Sequence, residues 1–143
     1  MDKMSAQLEE KIMKLLDNHQ IGSMATVRNG KPYSRFMLFF HDGLTLYTAT
    51  SKKTHKAEDI RENPAVHLLL GLEGNGFRDE YAEIEANASV EESSSLKEKF
   101  WNEKLKDWIK SPDDPDFLLL KLEPEKFCYF SKAGEDPETL TMD

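Results

Sequence analysis

Apolar residues recur in three- and four-residue steps over residues 4–19, placing Met4, Leu8, Ile12, Leu15 and Leu16 on one side of a helix. His19, Gln20 and Gly22 end that period, and alternation takes over. "IGSMATVRNGKPYSRFMLFFHDGLTLYTAT" predicts three successive strands, at about 21–28, 33–40 and 44–49. "RNGK" and "HDG" mark the turns, because Asn-Gly and Asp-Gly tolerate the positive φ of tight hairpins. A short helix follows at about 55–62 and stops at "ENP", since Pro64 disfavours helical geometry at Asn63. "AVHLLLGL" is almost continuously apolar, which predicts a strand buried on both faces. "FRDEYAEIEANASVEE" alternates and predicts a long strand. "SSSLKEKFWNEKLKDWIK" predicts a second amphipathic helix, with Leu96, Phe100, Trp101, Leu105, Trp108 and Ile109 on one side. "SPDDPD" is a loop. "FLLLKLEPEKFCYFS" predicts two last strands meeting at Pro124, and the tail "KAGEDPETLTMD" is expected to be mobile. About six strands with helices at the start, middle and late positions predict a mainly β chain. The expected form is an antiparallel barrel or closed sheet with peripheral helices, in one domain over 1–143.

Composition narrows the function classes. Hydrophobic residues make up 38% and charged residues 32% of the 143, a globular balance rather than a disordered one. The formal net charge of −8 argues against nucleic acid as a bulk partner and against an anionic membrane face. Cys128 is the only cysteine, so no internal disulfide and no cysteine-based zinc site can form. The apolar runs "FMLFF" and "FLLL" are too short to span a bilayer, and "MDKMSAQLEEKIMKLL" lacks a signal peptide's apolar region. A cytoplasmic setting is expected.

Against that acidic background, Lys52, Lys53, His55 and Lys56 fall within five positions, just before the short helix. Unpartnered N–H groups and the helix dipole favour anions at such a place. Thr50, Ser51 and Thr54 add hydroxyl donors, and Thr54 also fits the helix N-cap. On residue chemistry alone a solvated basic turn is the ordinary reading and a phosphate site the sharper one. Elsewhere the chemistry is thin. His19, His41, His55 and His67 lack metal-ligand spacing, and "GLEGNGF" does not open an apolar helix as a dinucleotide fingerprint would. Asp113, Asp114 and Asp116 of "DDPD" suit a Pro-shaped turn better than a calcium loop. No local nucleophile–base arrangement stands out.

The order "SRFMLFF…LYTATS…THKAEDIRENPAVHLLL" resembles the FMN-binding split β-barrels of the pyridoxamine 5′-phosphate oxidase-like superfamily, and most closely the general stress protein branch. The "ATVRNGKPYSRFM" hairpin and the later "FWNEKLKDWI…DDPDFLLLKLEPEKFCYF" extend the likeness over most of the chain. The resemblance implies FMN, or FAD, as cofactor. It implies Arg35 and Lys56 on the flavin phosphate, with Thr54 and His55 beside them. Tyr47 and Thr48 would reach the ribityl and ring region, and the backbone of Phe36, Met37 and Leu38 would lie along the ring. It further implies redox chemistry on an unknown small-molecule substrate and a homodimer with the flavin between subunits. Trp101 and Trp108 at helical spacing suit a core better than a flavin wall. The authentic oxidases end in an Arg-x-His element that "FCYFSKAGEDPETLTMD" lacks, so efficient pyridoxamine phosphate oxidation is not expected. Phe36 stands where the family often has Pro, and Asn87 where it often has Gly. A flavin-binding stress or sensor protein without turnover, and a split barrel binding a deazaflavin or haem, are the alternatives.

Overall fold

The computed structural model describes residues 3–72, 74 and 76–142. Helix α1 (Lys3–Asn18) leads into β1 (Ile21–Arg28), β2 (Lys31–Asp42) and β3 (Thr45–Ser51). Helix α2 (Lys56–Glu62) precedes β4 (Ala65–Gly71) and β5 (Tyr81–Glu91); α3 (Ser94–Phe100) precedes β6 (Phe117–Phe130) and β7 (Glu138–Thr141). The strands run in the order β3-β2-β1-β4-β5-β6-β7, and β3 also pairs with β6. Six antiparallel strands therefore close into a barrel, with β7 added outside the closure on β6.

The hairpin turns follow from their residues: Asn29 and Gly30 take φ of 52° and 74°, and Gly43 takes 60°. Leu8, Ile12, Leu15 and Leu16 of α1 are buried in the barrel core, and α1 packs against β4, β5 and β7. Gly22 has a role beyond ending the helical period. It faces Leu70 across β1 and β4, and a Cβ there would stand 2.5 Å from the Leu69 carbonyl oxygen. The barrel needs that close approach.

Four expectations require correction. β4 is not buried on both faces: Val66, Leu68 and Leu70 point inward while Leu69 is exposed. Both faces carry leucine, so alternation was hidden in the residue types. The late amphipathic helix stops at Phe100. Trp101 is extended, and the Asn102 side chain accepts from the Lys104 N–H at 2.8 Å to cap a short 3₁₀ turn over Glu103–Leu105. The Trp101 indole N–H donates to the Ile109 carbonyl at 3.0 Å, fixing the turn's far end. Phe100, Leu105 and Ile109 still pack with Phe40, Tyr47 and Phe117, forming a second apolar cluster. Trp108, however, leaves that side and is half exposed.

Pro124 does not divide two strands; it lies inside β6. Pairing of β6 with β3 ends at Leu122 and pairing with β7 begins at Lys126, so proline occupies the interval without a neighbour on that edge. A register shift against β5, between Glu85 and Ala86, accommodates it. The tail is not merely a mobile end: β7 pairs with residues 126–129 of β6 and buries Leu140. Among the described residues no helix is long and apolar enough to cross a membrane.

Candidate functional site

A cavity of about 570 Å³ opens beside the barrel, within the usual range of small-molecule sites. The paired strands β1 and β2 supply Ile21, Phe36, Met37 and Leu38 to its wall. The end of β3 supplies Ala49, Thr50 and Ser51, and the basic loop with the start of α2 supplies Thr54 and Lys56. Lys104 and Trp108 complete it from the segment after α3.

Lys56 is the chemical centre of this wall. Only 8% of it is exposed, and its Nζ donates to Thr50 Oγ1 at 3.2 Å. Burial, and then the neighbouring Arg35 guanidinium, hold the ammonium below the ordinary lysine range; Asp59 pulls the other way. Asp59 is committed elsewhere. Arg28 donates to both its oxygens, Nε to Oδ1 at 2.9 Å and Nη2 to Oδ2 at 3.1 Å, which ties α2 to the end of β1 and holds the Asp59 carboxyl below its usual range. The loop is braced by the Thr54 N–H and hydroxyl, both donating to the Ser51 carbonyl at 3.0 Å. Thr54 is therefore not the helix N-cap; His55 holds that position without a side-chain capping bond.

Of the residues singled out from sequence, Phe36, Met37, Leu38, Thr54 and Lys56 meet in the cavity. Arg35 stands close enough to Lys56 and Asp59 to act on both. Three lie elsewhere. Tyr47 packs in the outer cluster, its ring 4.8 Å from that of Phe100. Thr48 is fully buried and donates to the Leu38 carbonyl at 2.8 Å. His55 is exposed, 3.6 Å from Glu58. Lys52 carries no cavity contact, and Lys53 reaches outward to Asp116 at 3.4 Å.

Ile21, Ala49, Lys104 and Trp108 were not legible as site residues. Trp108 looks like a core residue while the late helix is taken as unbroken; the Asn102 cap is the signal that turns it outward. The "DDPD" loop is a turn organised by Asp114, whose carboxylate accepts from the Lys110 and Asp116 N–H groups at 2.9 Å each.

Comparison with known proteins adds to this geometry. The family described as pyridoxamine 5′-phosphate oxidase matches residues 8–130. General stress protein 26 of Bacillus subtilis (strain 168) is 47% identical over 135 residues, covering 94% of this chain and 96% of that one. The crystal structure of General Stress Protein 26 from Bacillus anthracis str. Sterne is 43% identical with a TM-score of 0.86, covering 95% and 99% of the two chains. The same fold recurs in an F420 reductase (29% identical, TM-score 0.62, 80% and 93% covered). It recurs again in a heme binding protein from Mycobacterium smegmatis (15% identical, TM-score 0.77, 93% and 57% covered). With a matching family profile, close relatives over nearly the full length and the same closed barrel, the chain belongs to the pyridoxamine 5′-phosphate oxidase family of split barrels, in its general stress protein branch.

Proposed function

We propose that this chain binds FMN or FAD in the cavity, with the flavin phosphate at Lys56 and Arg35, and serves as a homodimeric redox protein acting on an unidentified small molecule. One observation carries the reading: among the described residues the buried Lys56, beside Arg35, has a neutral hydroxyl and no carboxylate as its hydrogen-bond partner. Arg28, Arg35 and Lys56 surround Asp59, and Arg28 already holds both Asp59 oxygens. A buried ammonium left with a neutral hydroxyl partner is costly. A phosphate supplies the missing charge, and the Ser51 and Thr54 hydroxyls stand beside it. Met37, Leu38 and Trp108 offer the apolar walls that a flavin ring needs.

When bound, the flavin supplies electron transfer. The chain's own residues hold the phosphate, orient the ring and keep water from it. Among the described residues no carboxylate and no imidazole lines the cavity, so no acid or base is assigned. That same lining supports the reading of a flavin-binding stress or sensor protein without turnover, which steady-state oxidation of added donors separates from an enzyme. The likeness to an F420 reductase supports a deazaflavin as the second cofactor reading. Haem fits less well, because among the described residues no His, Cys or Tyr lines the cavity to serve as axial ligand.

The dimer reading is supported by the surface beside the cavity. Phe36 is 83% exposed, and strand register sets Phe36, Ser23 and Leu69 in one row across β2, β1 and β4, with Ile21 and Leu38 paired next to it. An exposed apolar row of this kind suits a second copy, and two-fold dimers are the commonest closed assembly. The absorption spectrum of the purified protein, followed by FMN titration, tests the central claim. Flavin bands with saturable micromolar binding are expected; a Soret band, or no FMN or FAD binding, would remove it.

A further inference from the structure

We propose that Arg28 is a positioning residue for the anion site: by holding both oxygens of Asp59 it withholds that carboxylate from Lys56 and Arg35 and keeps them open to a phosphate. This rests on the phosphate reading above. Arg28 stands outside the cavity lining, at the end of β1 beside the Asn29 and Gly30 turn. Its guanidinium is fixed from two sides. The Tyr33 ring, on the facing strand, lies 5.1 Å from Cζ. Nε and Nη2 reach the two Asp59 oxygens at 2.9 and 3.1 Å. A planar fork on a carboxylate is a geometry that a lysine ammonium cannot copy.

Lys56 and Asp59 are three residues apart on α2, the spacing that makes side chains neighbours on one helix face. Both are buried, with 8% and 3% of their surface exposed. Opposite charges so placed would ordinarily pair. Here the Lys56 ammonium donates instead to Thr50 Oγ1 at 3.2 Å, and Arg28 occupies both carboxylate oxygens. Asp59 still acts on Lys56, drawing its ammonium upward against burial and the Arg35 charge. Without Arg28, a carboxylate buried to this degree is costly left alone. Lys56 and Arg35 are the cations that remain beside it, and pairing with them would cancel the charge a phosphate needs. The other titratable neighbours, His55 and Glu58, are exposed and face each other at 3.6 Å.

The test compares Arg28→Gln, Asp59→Asn and the double variant by fluorescence titration with FMN and with riboflavin. Arg28→Gln should weaken FMN about tenfold or more and leave riboflavin within about twofold. Asp59→Asn should bind FMN at least as tightly as the parent. Adding it to Arg28→Gln should recover most of the loss. A merely structural brace predicts the reverse, because all three variants break the same contact. Arg28→Lys keeps the charge with a single contact, so its loss should be smaller, and Asp59→Asn should recover it too; this pair serves if Arg28→Gln folds poorly. A readout without flavin is the pH titration of the Lys56 ammonium by NMR in lysine-labelled protein. It should move upward in Arg28→Gln, as Asp59 turns to Lys56, and not in the double variant. FMN affinity unchanged in Arg28→Gln, no recovery in the double variant, or a Lys56 titration that does not rise overturns the role. A parent that failed to bind FMN would remove the flavin reading, and the NMR titration would still decide whether Arg28 withholds Asp59.

Discussion

Replacing Lys56 with methionine keeps the length of the side chain and removes its charge. A phosphate 4 Å from the ammonium gains about 4 kcal/mol by Coulomb attraction at an effective dielectric of 20. Desolvation reduces the net, and charge-assisted hydrogen bonds contribute about 1.5–3 kcal/mol. Lys56→Met should therefore raise the FMN dissociation constant about ten- to a hundredfold. Riboflavin, which lacks the phosphate, should lose much less. Arg35→Ala should act in the same direction, and the two changes should be non-additive if both groups grip one phosphate. Lys53→Ala, at an exposed side chain turned to Asp116, is the control within the same loop. The pH dependence carries a second signature. Because the Lys56 ammonium titrates below its ordinary 10.5, FMN affinity of the parent should fall as pH rises through that lowered value, and Lys56→Met should not show the fall. Stability of the free protein moves the other way. The folded state gives up the proton more readily than the unfolded one, so the parent should gain on Lys56→Met as pH rises through the lowered value towards 10.5. Fluorescence titration with FMN and riboflavin reads the first effect and thermal melts read the second. If Lys56→Met binds FMN as the parent does, the buried charge serves no phosphate and the basic cluster is a solvated turn.

Asp59→Asn should lower the melting temperature, because it leaves Arg28 without its two-point partner. Since the Asp59 pKa is depressed, the stabilisation is present above its ordinary 3.8 and lost as pH falls through the lower folded value, so the gap between parent and variant should narrow below pH 3.8 in acid melts. Gly22→Ala should cost about 1–3 kcal/mol in urea unfolding through the clash with the Leu69 carbonyl. Phe36→Asp should convert the proposed dimer to a monomer in light scattering, and an unchanged mass would remove that row from the interface.

The opening of the fold is legible because its signals are local. The α1 periodicity and the Asn-Gly and Asp-Gly turns set the helix within one residue and the first three strands within two residues at each end. Errors gather where a side chain acts against its neighbours' period. Asn102 interrupts an amphipathic stretch that is otherwise continuous, and the apolar residues beyond it remain buried, so the pattern barely registers the break. Pro124 looks like a strand end because proline lacks a donor, yet the fold supplies a place where none is needed. The same logic applies to the site. Thr54 and Lys56 sit in one compact segment and can be found there. Lys104 and Trp108 come from about fifty residues away, and only closure of the barrel brings them to the cavity.

The handover of β6 from β3 to β7 has a consequence for solubility. Beyond Leu122 the strand has left β3 while it stays paired with β5, and residues 126–129, "KFCY", would show an open edge of unpaired amide and carbonyl groups on the β3 side if β7 were not there. That stretch carries Phe127, Cys128 and Tyr129, with apolar character and a thiol in sequence. An unprotected edge of this composition is a template for strand addition by another chain. β7 is thus a guard strand. A chain cut after Ser131 would retain all six barrel strands and the whole cavity, and would be at risk of self-association from the side of the molecule farthest in sequence from the basic loop.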